Sequence, residues 1–148
     1  KEEGYPAAEN IRRHAAGDQL NAYSHIHHQV IFSGASVYPY ARVGHSEASA
    51  EAAGIDYVSA TRDAASDGVF KTKATPLGLA TLVVDADDGT VLGYQGLHYH
   101  ADVMAKTMQV VVETEMAVTD VPDRAFHPTT PEIIDGLVRE TAAEIADR

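Results

Sequence analysis

The chain has 148 residues, a formal net charge of −11, 45% hydrophobic residues and no cysteine. This composition predicts one soluble globular domain, and the scattered basic residues argue against nucleic acid or an anionic membrane as a partner. Because cysteine is absent, the chain has no disulfide framework and no thiolate metal site, and it cannot itself carry out thiol–disulfide exchange. No apolar run is long enough to cross a bilayer and no signal peptide is visible, so we expect a cytoplasmic protein.

Five elements are predicted in the first half of the chain. Residues 4–16 are rich in alanine and precede a Gly-Asp pair, which is typical of a short helix. The apolar run at 29–32 predicts a strand, and the glycine and proline in residues 34–40 predict a loop. Residues 46–53 form a predicted two-turn helix between a serine cap and a glycine. Alternating apolar and polar residues over 55–61 predict a second strand.

The second half contains the strongest local pattern, a predicted hairpin. Its strands are residues 79–85 and 90–97, and the Asp-Gly pair between them is typical of a tight turn. Apolar residues recur along one stripe over 100–116, which predicts an amphipathic helix. After a link at 120–126, a last helix begins at Thr130, with proline at its first position and an acidic residue that the positive helix end favours.

Strands and helices occur in blocks along this chain rather than in alternation. The order predicts an α+β fold, in which an antiparallel sheet of about four to five strands has helices packed mainly on one face. No GxGxxG motif follows a predicted strand, so we expect no nucleotide site, and no bound cofactor, on this chain alone.

An ordered set of short motifs extends along nearly the whole chain. They are EGYPAAENI at 3–11, VGHSE at 43–47, GLATLVVDADDGTVLG at 78–93, MAVTDV at 116–121 and HPTTPE at 127–132. The set resembles EGxxAAxNI, VGxTE, GxxKLVVDxxTGxILG, GxTVEDL and HPTxxE of the FAD-dependent pyridine nucleotide-disulfide oxidoreductases, the family of dihydrolipoamide dehydrogenase, glutathione reductase, mercuric reductase and mycothione reductase. By this resemblance, residues 19–148 are the C-terminal dimerisation domain, and residues 1–18 are a remnant of the helix that ends the FAD domain.

The resemblance implies a role for two residues. In the family's disulfide reductases, the HPTxxE histidine enters the active site of the partner subunit and exchanges protons with the substrate thiol and the redox dithiol. The glutamate five residues on orients it, and these positions correspond to His127 and Glu132. The implied partners are a second copy of the chain and the FAD and NAD(P)H domains of the parent protein, which would bind both cofactors.

General chemistry agrees with this role for His127 and Glu132. Sulfur attacks and leaves as thiolate, so a base that titrates near neutrality accelerates exchange. A carboxylate on the far ring nitrogen fixes the tautomer and stabilises the imidazolium. Taken alone, however, the same two residues also fit a loop histidine and an ordinary acid at a helix start.

Several positions differ from the family pattern and suggest an alternative function. The segment between 120 and 127 is shorter than usual, His98 replaces a glycine, and Val103 replaces a common glutamate. The alternative is a free-standing domain that binds or transforms a small molecule without flavin. Its candidate ligand pocket would contain Tyr38, Tyr40, His98 and His100.

Two groups of histidines raise the question of a metal site. They are His25, His27 and His28 in the first group, and His98 and His100 near Asp102 in the second. Neutral imidazoles are good ligands, but a structural zinc site needs four ligands and cysteine is absent. We therefore expect polar loop and turn residues, and no metal.

Overall fold

The computed structural model describes residues 3–22, the backbone of residues 28–31, and residues 37–148. The helices and strands in chain order are α1 (Gly4–Ala16), β1 (His28–Ile31), β2 (Tyr40–Gly44), α2 (Glu47–Ala52), β3 (Tyr57–Asp63), α3 (Gly68–Thr72), β4 (Gly78–Asp85), β5 (Val91–His98), α4 (Ala101–Glu113) and α5 (Glu132–Ala146). Short 3₁₀ turns occur at Ala64–Ser66 and Val118–Asp120.

The five strands form one antiparallel sheet in the order β1-β2-β5-β4-β3. The β4–β5 hairpin lies at its centre, as the Asp-Gly pattern predicts. Its turn is stabilised locally, because the carboxylate of Asp88 accepts from the amide of Thr90 at 2.8 Å and Gly89 adopts a left-handed conformation with φ of 79°. The observed sheet confirms the predicted α+β class.

The two long helices cover one face of this sheet. Helix α4 packs on β2 and β5, whereas α5 packs on β3 and β4. Apolar side chains that alternate along the strands meet those of both helices in one core, whose fully buried members include Leu82, Tyr94, Met108, Ile133 and Leu137. On the other face of the sheet, Leu79 and Leu97 remain about half exposed, so the helices lie mainly on one side as predicted.

Helix α1 differs from the others because none of its residues is buried. It ends at Gly17, whose left-handed conformation lets its amide bond back to the last turn. Beyond this end, the side chain of Asn10 makes two hydrogen bonds, both 2.9 Å long, with the backbone of Asn21. The apolar side chains Tyr5 and Ile11 are 78% and 71% exposed.

The structure differs from the predicted elements at several places. Helix α5 begins at Glu132 with Pro131 at its N-cap, so the predicted cap at Thr130 and the predicted helical position of the proline are wrong. Strand β2 was not predicted, because only Ala41 and Val43 carry its short apolar alternation. Helix α3 was also missed, since five residues are too few for a periodic signal. Helix α4 ends three residues earlier than the predicted 116, because Glu115 adopts a φ of 51°. Residues Phe32 and 34–36 of the predicted strand and loop lie outside the described residues.

Candidate functional site

The candidate site lies at the N-terminal end of α5. A surface loop of residues 122–128, which we call the strap, leads into this end and carries His127. Ring atom Nδ1 of His127 lies 3.0 Å from Oε2 and 3.1 Å from Oε1 of Glu132, the first residue of α5. Oε1 also accepts from the amide of Thr129 at 2.7 Å. The peptide bond between His127 and Pro128 is cis.

The geometry of the pair assigns the imidazole tautomer. Because a carboxylate can only accept, Nδ1 of His127 carries a proton and donates it to Glu132. The pKa of Glu132 lies below its ordinary value, chiefly because of this hydrogen bond and next because of the bond from the Thr129 amide. The side chain of His127 is 78% exposed, against 26% for Glu132. The arrangement therefore presents Nε2 of a braced imidazole to the surroundings, where it can accept or return a proton.

Comparison with known proteins assigns the family. Residues 29–138 match the sequence profile described as "Pyridine nucleotide-disulphide oxidoreductase, dimerisation domain". The chain belongs to this family. The match confirms the family resemblance that the ordered set of motifs indicates. No curated protein sequence matches the chain significantly.

Solved structures share the fold of this dimerisation domain at low sequence identity. The HOCl-induced flavoprotein disulfide reductase RclA from Escherichia coli is 20% identical, with a TM-score of 0.72 over 88% of this chain and 30% of that protein. LpdA from Mycobacterium tuberculosis is 16% identical, with a TM-score of 0.70 over 88% and 28%. An NAD-dependent persulfide reductase from A. fulgidus is 14% identical, with a TM-score of 0.67 over 93% and 26%. The chain thus spans less than one third of these proteins.

His98 lies in the core of the dimerisation domain. Its Nδ1 is 2.9 Å from the carbonyl of Tyr99, and its Nε2 is 2.6 Å from the hydroxyl of Tyr94. The pKa of His98 is lowered, mainly by burial. Gly96 makes room for this contact, since a Cβ there would lie 2.6 Å from the Tyr94 hydroxyl and 2.8 Å from His98 Nε2. The structure therefore gives His98 a buried hydrogen-bonding position.

The other residues of the candidate ligand pocket do not all lie on the same side of the sheet as His98. Tyr40 pairs with Leu97 across the strands, on the face of the sheet opposite to the buried His98. His100 stacks on the ring of Tyr99 with 3.7 Å between centroids, immediately before α4. Tyr38 precedes β2 and is half-buried. The structure does not bring Tyr40 and His98 to one side of the sheet.

The described residues of the dimerisation domain contain no group of three or more His, Asp or Glu side chains suited to a metal ion. The predicted histidine group at 25–28 cannot be placed here, because His25 and His27 lie outside the described residues and His28 is described by its backbone. Within the same residues, no helix combines the length and the apolar character needed to cross a membrane.

Two features near His127 were not identified from the sequence. The first is an apolar groove of about 790 Å³ between α4 and the strap, beside which Phe126 is 89% exposed and Val103 64% exposed. The second is a set of contacts from the side chains of Asp135 and Arg139 to the backbone of the strap. The only sequence signal for the groove is an isolated aromatic residue next to the histidine.

Proposed function

We propose that this chain forms the homodimer interface of a flavin-dependent NAD(P)H disulfide oxidoreductase, and that it supplies His127 and Glu132 to the active site of the partner subunit. The observation that carries this proposal is the exposed imidazole of His127, 3.0 Å from an anchored carboxylate, on a domain whose family is named for dimerisation. An exposed pair of this kind contributes little to the stability of a fold, so stability alone is a weak reason for it. We also place the protein in the cytoplasm.

The remainder of the parent protein would bind FAD and NAD(P)H. The chain covers only 30% of the flavoprotein RclA, and in the proposed parent protein the flavin and nucleotide sites would belong to segments beyond this domain. Residues 1–18 would then be the end of the FAD domain. The absence of buried residues in α1 supports this assignment, because an amphipathic helix normally packs its apolar residues against another element.

His127 would move a proton at its Nε2 atom while Glu132 holds the opposite side of the ring. Nε2 accepts the proton of an attacking thiol, so that the resulting thiolate can attack a disulfide sulfur. The sulfur that leaves as thiolate then takes the proton back from the imidazolium. During the interval the Glu132 carboxylate stabilises the positive ring, and the anchoring of this carboxylate by the Thr129 amide limits reorganisation.

The test uses the complete dimeric flavoprotein and separates its two half-reactions. In His127→Gln, we expect reduction of the flavin by NAD(P)H to keep its rate, while turnover with a disulfide falls by about 10²- to 10⁴-fold, the usual contribution of a general acid–base group. Stopped-flow absorbance of the flavin measures the first step and steady-state assay measures the second.

A matched control is His45→Gln. His45 bonds Ser49 at the end of the sheet where β2 leads into α2, and we expect this variant to retain both rates. Equal disulfide turnover in His127→Gln and wild type would refute the proposed role.

A further inference from the structure

Side chains of α5, rather than backbone pairing, hold the strap in place. Among the described residues, no backbone–backbone hydrogen bond involves residues 122–128. Instead, Arg139 donates from Nη1 to the carbonyl oxygen of Asp123 at 3.1 Å. Nearer to the histidine, Oδ2 of Asp135 accepts from the amide of Ala125 at 2.8 Å. These contacts attach an otherwise unpaired loop to a rigid helix.

The side chains that hold the strap share one face of α5. Glu132, Asp135 and Arg139 are separated by three and four residues, so they follow one another along the same side of the helix. Each contacts the chain at a different point, and the contact of Glu132 with Thr129 lies just beyond the strap. The backbone of the loop is therefore held at two places along its length and at a third just after its end.

Asp135 makes the central contact of the three, and it is buried. The residue is 7% exposed, although carboxylates seldom lie below the surface without a specific partner. Acceptor side chains at a helix start commonly cap the free amides of that same helix. Asp135 instead accepts from an amide ten positions earlier in the chain. This bond lies two residues from the imidazole.

We infer that Asp135 is a positioning residue, which holds the amide of Ala125 and thereby sets the place from which His127 reaches Glu132. The inference rests on the proposed function of His127, because the position matters for catalysis only if the ring acts as an acid–base group. Without the Asp135 contact, the segment between Asp123 and Thr129 would keep the hydrogen bond of His127 to Glu132 but lose the one that fixes the backbone beside it. The ring would then sample positions away from the carboxylate.

The test measures the titration of Glu132 by NMR in the protein of this sequence. In Asp135→Ala we expect the pKa of Glu132 to rise towards its ordinary value, because the bonds from His127 and Thr129 that lower it become weaker. Loss of a negative charge alone would act in the opposite direction, since a nearby carboxylate disfavours a second one. A rise in the pKa of Glu132 therefore indicates a changed position of the strap, whereas a fall indicates only the loss of the Asp135 charge.

Hydrogen exchange gives a second measurement in the same samples. The amide of Thr129 does not contact Asp135, yet we expect its exchange to become about ten-fold faster in Asp135→Ala, which corresponds to loss of one hydrogen bond to a charged group. Asp135→Asn keeps a carbonyl acceptor for Ala125 but removes the charge, so it should leave the exchange close to wild type and should not raise the pKa of Glu132. Equal rises of that pKa in Asn and Ala would show that an accepting oxygen at position 135 does not set the position of the strap, and would overturn the inference.

A matched control is Glu144→Ala, which removes an exposed carboxylate from the last turn of the same helix. It should leave Glu132 and Thr129 unchanged. If Asp135→Ala does not fold, Asp135→Glu replaces it, because the longer side chain keeps the charge but displaces the carboxylate oxygen that binds the amide of Ala125. This variant should raise the pKa of Glu132 and speed the exchange of the Thr129 amide, and wild-type values of both would overturn the inference.

These measurements are independent of catalysis by the complete flavoprotein. A normal disulfide turnover in His127→Gln would refute the proposed function while leaving the titration result intact. Conversely, an unchanged Glu132 titration in Asp135→Ala would refute the positioning role even if His127 is essential for turnover.

Discussion

The hydroxyl of Tyr94 lies 2.6 Å from Nε2 of His98 inside a core where both residues are 0% exposed. Because Nδ1 of His98 donates to the carbonyl of Tyr99, Nε2 is the acceptor and the tyrosine hydroxyl is the donor. Phe70 meets the imidazole edge-on, with 5.5 Å between ring centroids. The result is a neutral polar pair that is satisfied within an apolar environment.

Removal of the Tyr94 hydroxyl should destabilise the fold. Tyr94→Phe leaves Nε2 of His98 buried without a donor, and such an unsatisfied group costs about 1–3 kcal/mol. Urea denaturation followed by circular dichroism measures the change. Tyr99→Phe is the control, because the half-buried Tyr99 ring stacks on His100 and should change stability little. Equal stability of Tyr94→Phe and wild type would contradict the assigned bond.

Stability should decrease in mild acid because of His98. Burial lowers the pKa of this side chain below the ordinary 6.5, so the unfolded chain binds a proton more readily than the folded one. The free energy of unfolding that neutral His98 contributes is fully present above pH 6.5. It is lost as the pH falls from there towards the lowered pKa of His98 in the folded protein. His98→Gln cannot titrate and should show a shallower loss of unfolding free energy in this window. The control His14→Gln changes an exposed histidine of α1 and should keep the wild-type slope.

The bond between His127 and Glu132 should be visible in the titration of the acid. The imidazole is the main cause of the lowered pKa of Glu132, so His127→Gln should move that pKa towards the ordinary value of 4.5. Carbon-13 NMR of the carboxyl group measures the midpoint. His45→Gln, which alters a histidine bonded to Ser49, should leave it unchanged. An unaltered midpoint in His127→Gln would show that the two side chains do not interact in solution.

Self-association should depend on Phe126. If the strap enters a partner subunit, this 89% exposed side chain becomes buried there, and burial of a phenylalanine contributes about 1.5–3 kcal/mol. We expect a dimer at micromolar concentration by sedimentation, and about ten-fold or greater weakening in Phe126→Ser. Tyr5→Ser, which changes an exposed aromatic residue of α1, is the control. A wild-type protein that stays monomeric would favour the alternative of a free-standing small-molecule-binding domain.

Local chemistry made much of the fold predictable. The hairpin of β4 and β5 follows from alternating apolar residues on both sides of Asp88 and Gly89. Asp88 accepts a hydrogen bond from Thr90, two residues away, and Gly89 adopts the left-handed conformation of the turn. A helix close to residue 130 also follows from local chemistry, because proline and an acidic residue favour a helix start, whereas the pairing of His127 with Glu132 was inferred from the family motif. Such features depend on neighbours in sequence, so the sequence by itself determined them.

Contacts between distant segments were decided by the tertiary structure. The sequence places His98 at a strand end, but its burial depends on the space that Gly96 leaves and on the hydroxyl of Tyr94. Likewise, the bond between Asp135 and Ala125 exists only because the strap folds back along α5. No local pattern encodes these pairs, because their energy comes from burial and hydrogen-bond satisfaction, which arise only once the sheet and helices have packed.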